Sequence, residues 1–376
     1  MRWTLIVASC FACAPVEPPA EATPPRAPAP IPPPVPSLGP SAADLVAGID
    51  RTVDPSFVYD YDQTRFVPPD GQTLLMMGQT VEDIADYQAS FADEPPPAGW
   101  MAYWGVPSFE GVAEPADNGF GLTQHHQMLV DDFPNAVVQS AMWMVGTWDV
   151  ARLTAEGEYD AVLDQYAAWA MAIERPLFLR IGYEFDGPHN ELDPVEYVAA
   201  YRHVVDRMRA AGVDNIAYVW HSYASPPFGG HPVSAWYPGD DYVDWVGISV
   251  FGHIYGGPSL GGAGDAVLDF ARDHRKPVMI AESSPIRGIA TAGTQAWNDW
   301  FVHYFSLVHR KNIRAISFIS TDWTQLDIAG IASWEDARLT NNPTIAEAWF
   351  LEVEGERYLK ASPALYPALG QPLSTP

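Results

Sequence analysis

Glu184 and Glu282 each close an apolar run that reads as a buried strand, Pro176-Leu177-Phe178-Leu179-Arg180-Ile181-Gly182-Tyr183-Glu184 and Lys276-Pro277-Val278-Met279-Ile280-Ala281-Glu282. An acid ending such a run is what a parallel barrel shows when a strand hands its last side chain to the rim, where these folds keep their chemistry. A carboxylate pair at that rim suits cleavage of a glycosidic bond: one acid protonates the leaving oxygen, and one carboxylate acts at the anomeric carbon. When that carboxylate is a nucleophile, the two groups stand about 5 to 5.5 Å apart. The separation in sequence, 282 − 184 = 98 residues, leaves room for several βα units. A single Glu at a strand end is more often a solvated salt-bridge partner; two at matching ends reverse that preference.

Period two places Phe178, Arg180, Gly182 and Glu184 on one face of their strand, and Val278, Ile280 and Glu282 on one face of theirs. With those faces inward, both acids reach the barrel mouth, Gly182 leaves room below Glu184, and Arg180 becomes a buried cation in need of an acid, for which Glu282 is available. The expected division is a desolvated Glu184 that keeps its proton near neutral pH and a Glu282 held ionised by Arg180 or other donors.

Eight strands are predicted: Thr73 to Met77, Trp100 to Trp104, Ala136 to Val145, Pro176 to Glu184, Ile216 to His221, Trp245 to Phe251, Pro277 to Glu282 and Ala315 to Thr321. Helical patterns lie between them. One is signalled by Asp193 as N-cap, Pro194 at the first helical position, Glu196 completing a capping box and Gly212 at the end; another opens at Asn342-Pro343. Eight strands alternating with helices predict an α/β fold, a (β/α)8 TIM barrel, with Glu184 on the fourth strand and Glu282 on the seventh. A doubly wound open sheet would want a glycine phosphate turn after its first strand, and Met77-Gly78-Gln79-Thr80 is none. The glycine-rich run from Tyr255 to Gly264 reads as a loop over the mouth rather than a nucleotide cradle.

Sugar rings offer apolar C–H faces to aromatic side chains, and the strand-to-helix loops carry many, Trp104, Trp148, Tyr223, Trp236, Tyr255 and Trp334 among them. Trp323, directly after the eighth strand, is the first candidate for a pocket floor, followed by Trp220 and His221 at the end of the fifth. In Gln124-His125-His126-Gln127, adjacent histidines point apart on any regular element and no further ligand motif accompanies them, so a metal is not implied. His125 is retained as a candidate substrate hydrogen-bonding residue. No Gly-x-Ser-x-Gly elbow follows a strand. No cofactor is implied.

The chain of 376 residues carries a formal charge of −27 with 48% hydrophobic residues, which argues against nucleic-acid or anionic-membrane partners and favours a neutral polysaccharide or oligosaccharide. Its two cysteines, Cys10 and Cys13, follow a short apolar run, and Val7-Ala8-Ser9-Cys10 reads as a lipobox. The expected organisation is an export or lipoprotein signal over residues 1–13, a Pro/Ala-rich linker over 14–45 and a catalytic barrel over 46–376. Export follows, to the outer surface or periplasm as a lipoprotein or as a secreted protein, with membrane attachment only through a lipid at Cys10.

Between residues 176 and 285 the chain resembles clan A of the glycoside hydrolases, and within it family 26, the β-mannanase group. The stretches that carry the likeness are Leu179 to Gly187, Tyr201 to Asp206 with Asn215 to Trp220, Trp236 to Ile248 and Lys276 to Glu282. The resemblance implies Glu184 as acid/base and Glu282 as nucleophile of a retaining mechanism. The candidate substrate-binding residues are Arg180, Tyr183, Asp186, Trp220, His221, Phe251, Trp323 and His125. The chain departs from the family pattern at Tyr183, where His is usual, at Asp186, where Asn or Thr is usual, and at Val250-Phe251, where a Tyr often touches the nucleophile. The implied activity is a retaining endo-β-glycosidase on a β-mannan-type polymer, with β-glucan or β-xylan next. The alternatives are a non-catalytic glycan-binding surface lipoprotein on the same scaffold and a transglycosylase.

Overall fold

Eight parallel strands close into a ring in the computed structural model, which describes residues 39–61, 64–117, 122–144, 149–224, 230–326, 328 and 330–371. The signal-like segment with Cys10 and Cys13, almost all of the proline-rich stretch and Trp148 lie outside the described residues. The strands are β1 Thr73–Gly78, β2 Gly99–Gly105, β3 Val137–Trp143, β4 Leu177–Ile181, β5 Ile216–Ser222, β6 Trp245–Val250, β7 Val278–Ser283 and β8 Ala315–Ile319. Each pairs with the next, and β8 returns to β1 with Leu74 opposite Ala315. Helices alternate with the strands, so the fold is a (β/α)8 barrel.

Both faces of these strands are buried, which is why their sequences run apolar without alternation. On β4, Leu177, Leu179 and Ile181 pack outward against the helices, while Phe178 points in. Phe66, Phe178 and Trp245 plug the lower end edge to face, with centroids 5.9 and 5.4 Å apart. The helix Pro194–Ala210 forms as its signals dictate: the Asp193 carboxylate accepts from the Val195 and Glu196 amides, and Tyr197, Tyr201, Val204 and Met208 make a buried stripe at helical spacing. Asn342 caps the helix Pro343–Val353 in the same way.

Three readings need correction. On β7, Val278 and Ile280 face outward and Met279 and Ala281 inward. The pairing slips against β6: Ile248 lies opposite Ile280, but Ser249 lies opposite Glu282, so Ala281 is skipped. This bulge is what turns Glu282 into the barrel, one residue out of phase with the rest of its strand. The second correction is the glycine-rich run, whose last four residues, Gly261 to Gly264, open the helix Gly261–Asp273 rather than a loop. The third concerns the start of the folded unit, which spans Gly39–Pro376. The helix Ala42–Val46 buries Ala42, Leu45 and Val46, and Trp297 donates to the Leu45 carbonyl at 2.9 Å, so these residues belong to the packed structure rather than to the spacer.

Candidate active site

β4 ends at Ile181, and the chain then makes a sharp turn that carries Glu184 into the mouth. Gly182 and Glu184 both adopt left-handed backbone, with φ of +54° and +53°. Only glycine fits the first: a Cβ there would stand 2.5 Å from Met144 Cε and 2.9 Å from Tyr197 Cε2. For Glu184 the conformation costs about 1 kcal/mol or more. Neighbours hold it in place: the Asn190 side chain donates to the Tyr183 and Glu184 carbonyls, both at 2.9 Å, and Gly187 N–H returns to the Glu184 carbonyl at 2.7 Å.

Glu282 arrives on the β7 bulge. The bulge leaves the Ala281 carbonyl facing the barrel interior, where Gln139 Nε2 donates to it at 2.8 Å, while the Gln139 oxygen accepts from Ser317. Arg180, fully buried, donates through Nη1 to Glu282 Oε1 at 2.5 Å. Its guanidinium lies over the rings of Tyr103 and Tyr183, 5.1 and 5.3 Å from their centroids. The Tyr103 hydroxyl stands beside the pair, without a well-aligned hydrogen bond among the described residues.

Glu184 is held by both oxygens. Ser249 Oγ lies 2.5 Å from Oε1, and His189 Nε2 lies 2.8 Å from Oε2. Ser249 in turn meets His221 Nε2 at 3.0 Å, and His221 Nδ1 faces Arg180 Nη1 at 3.4 Å. A continuous polar chain thus joins the two glutamates.

The electrostatics of this cluster follow from burial. Burial pushes Glu282 up to about 7, with Arg180 pulling it down and the Glu184 charge pushing it up. The expectation that Arg180 or other donors keep Glu282 ionised undercounts the loss of solvent. His221 sits well below its ordinary value through burial and the charges of Arg180 and His189, and is neutral. For His189, burial acts downward, but the Glu184 hydrogen bond and the charges of Glu184, Glu282 and Asp186 leave it raised.

The structure brings Arg180, Tyr183 and His221 to the two glutamates, but two of these three are inaccessible. Arg180 and His221 are completely buried, so they position the acids rather than touch substrate. Asp186 is also withdrawn: it accepts from Ser222 Oγ at 2.7 Å and the Tyr223 amide at 2.6 Å, fixing the end of β5, and burial pushes its carboxyl up to about 6. Trp220 lies on the outer face of β5, stacked on Phe185 with its N–H given to the Trp236 carbonyl, because period two sends it away from the mouth that His221 faces. His125 faces the Ala113 carbonyl at 3.3 Å in the β2–β3 connection and has no contact with the carboxylates among the described residues. Its neighbour His126 is a core residue between the Gly111 carbonyl and Ser140. Phe251 and Trp323 pack with Trp334 into an aromatic wall, centroids 4.9 to 6.2 Å apart, against Met101, which lies beneath Arg180.

Sequence reasoning missed Ser249, His189, Tyr103 and Gln139. Three of them were legible by period two, as polar residues on the inward faces of β6, β2 and β3. His189 sits on an irregular loop where no period applies.

Comparison with known proteins bears on this arrangement. Residues 161–263 match the model of glycosyl hydrolase family 26. A β-1,3-xylanase from an Alcaligenes species is 30% identical over 330 residues, covering 81% of this chain and 68% of that protein. The chain belongs to glycosyl hydrolase family 26. A β-1,3-xylanase from a Vibrio species is 29% identical over 326 residues, 80% of this chain and 69% of that protein. Among solved structures, a family 26 β-mannanase from Bacteroides ovatus superposes with a TM-score of 0.54 over 78% of this chain and 91% of its own, at 12% identity, a likeness of fold. As a member of family 26 the protein is a glycoside hydrolase, a retaining endo-β-glycosidase acting on a β-linked polysaccharide.

Proposed function

We propose that this family 26 enzyme hydrolyses β-1,3-linked xylan, with Glu184 as acid/base and Glu282 as nucleophile. The observation that carries the assignment of roles is the buried Arg180, bonded to Glu282 and not to Glu184. A buried, permanent cation pulls Glu282 toward the ionised form against its burial and stabilises it as a leaving group, while Glu184 is met by neutral Ser249 and by an exposed His189 that substrate can replace. The substrate reading rests on likeness to two β-1,3-xylanases over four-fifths of the chain. The mannanase likeness is one of fold at low identity. The departures from the mannanase pattern at Tyr183 and Asp186 lie on the turn that carries Glu184.

In the first step Glu184 gives its proton to the interglycosidic oxygen as the C1–O bond breaks and its electron pair passes to that oxygen. A Glu282 oxygen closes on C1 from the opposite face. In the second, Glu184, now ionised, takes a proton from water; the water oxygen bonds to C1, and the ester electrons return to Glu282 beside Arg180. Two inversions retain the β configuration. Tyr183 and the Phe251, Trp323 and Trp334 wall supply ring faces for the sugar. A polymer of this size meets the enzyme outside the cell, which accords with an export signal and lipid attachment at Cys10. Cys10→Ser should move the protein out of the membrane fraction.

Reducing-sugar release from β-1,3-xylan, β-1,4-xylan, β-1,4-mannan and a mixed-linkage β-glucan tests the substrate. The β-1,3-xylan should dominate, and a preference for mannan would overturn that choice. Glu184→Ala should lose about 10²- to 10⁴-fold on the polymer, and azide should restore turnover of an activated aryl glycoside with a β-glycosyl azide as product. The same rescue in Glu282→Ala should give the α-azide. Wild-type turnover in either variant would remove that residue from the mechanism.

A further inference from the structure

Among the described residues, one arrangement of hydrogens gives every group in the polar chain between the glutamates a partner. Arg180 is a donor at every nitrogen, so the His221 Nδ1 that faces it at 3.4 Å presents a lone pair. His221 is neutral and completely buried, so its hydrogen is on Nε2, aimed at Ser249 Oγ 3.0 Å away. Ser249 accepts that hydrogen and has one of its own to give. Among the described residues the acceptor within its reach is Glu184 Oε1, at 2.5 Å. An oxygen that already receives a hydrogen bond along this line does not carry the acidic proton.

We infer that Ser249, locked by His221 and Arg180, is a positioning residue that confines the Glu184 proton to Oε2, the oxygen that delivers it to the glycosidic oxygen. This inference rests on Glu184 being the acid/base. In the free enzyme Oε2 is met by His189, whose side chain is 46% exposed and free to yield its place to the substrate oxygen. The titratable groups that act on Glu184 are Glu282 from β7, Asp186 and Tyr183 from its own turn, His189 from the loop beyond, and Tyr223 and His253 from the ends of β5 and β6. None of them donates to Oε1; once substrate takes the place of His189 at Oε2, Ser249 is the group that still holds one oxygen and leaves the other for the proton.

The Ser249 bond favours ionised Glu184 over the protonated form, because a carboxylate oxygen accepts more strongly than a carbonyl. Removing it therefore raises the pH at which the acid gives up its proton. In Ser249→Ala the basic limb of kcat/KM should move upward by about half to one pH unit. The rate on polymer should fall about tenfold or more, while an aryl glycoside with a good leaving group, which needs little protonation, should be spared in its glycosylation step. Ser249→Thr, which keeps the hydroxyl, should restore both the limb and the polymer rate. A Ser249→Ala profile that overlays the wild type, or equal losses on both substrates, would overturn the inference. Glu184→Ala run in parallel separates the two claims: an inactive Glu184→Ala beside an unshifted Ser249→Ala refutes the relay alone, whereas an active Glu184→Ala refutes the acid/base assignment itself.

Discussion

Arg180 sets the balance between the two acids. It is buried, bonded to Glu282, and flanked by the ring faces of Tyr103 and Tyr183. In Arg180→Met the cation is gone while burial and the Glu184 charge remain, and both push Glu282 above the value of about 7 that it has with Arg180 present. Because the nucleophile must be ionised, the acidic limb of kcat/KM should move to higher pH by a unit or more, with kcat falling about 10²-fold or more. A pH–rate series checks this, and an unmoved acidic limb would count against Glu282 as the group it reports. At this scale the sequence was informative where a period applied. Arg180 meeting Glu282 followed from alternation on β4, and the same alternation, carried along β5, would have excluded Trp220 from the site. The reach of His189 back to Glu184 depends on a loop whose path no local pattern specifies.

The elements that position the acids do so through two local irregularities. Gly182→Ala forces a side chain into left-handed backbone and against Met144 and Tyr197. It should cost about 1 to 3 kcal/mol in urea unfolding and reduce kcat further by displacing Glu184. Gln139→Leu leaves the Ala281 carbonyl and the Ser317 hydroxyl without their partner inside the barrel. That should cost about 1 to 3 kcal/mol, seen as a lower urea midpoint at unchanged m, together with a loss of kcat because the bulge that aims Glu282 loosens. Unchanged kcat in Gln139→Leu would show that the bulge holds its shape without that bond. Strand positions were legible because strands buried on both faces run continuously apolar. The bulge at Ala281 was not: alternation continued past Ile280 predicts the wrong inward set, and the slip is fixed by pairing with β6, which lies more than thirty residues earlier in the chain.

For the whole molecule, the distribution of charge sets the response to pH. Among the described residues, Glu282 at about 7, Asp83 and Asp186 at about 6, and Asp244 sit above their ordinary values, burial being the largest cause for each. A group whose folded value is raised binds its proton more tightly when folded, so each adds stability as pH falls through that value toward its unfolded one. The formal charge of −27 shrinks over the same range. Glu352 opposes this at lower pH: burial acts upward on it, but the His309 and Arg51 contacts hold it below its ordinary value, so its contribution is lost as pH falls below that range. Buried His126 and His221 are held below their ordinary value by burial, so they subtract stability as pH falls through about 6.5 and offset much of the carboxyl gain. The melting temperature should therefore change little from pH 8 to about 5 and fall below about 4. A steady decline from pH 8 to 5 would contradict this. The barrel itself was legible from the count and order of the strands; the start of the folded unit was not, because the Pro/Ala composition runs up to a short helix whose packing partner, Trp297, lies far along the chain.

The most direct measurement is trapping of the covalent intermediate. An activated 2-deoxy-2-fluoro glycoside of a β-1,3-xylo-oligosaccharide should inactivate the enzyme, and peptide mass spectrometry should find the sugar on Glu282 in the wild type and no such adduct in Glu282→Gln. A sugar attached to any other residue would contradict the account.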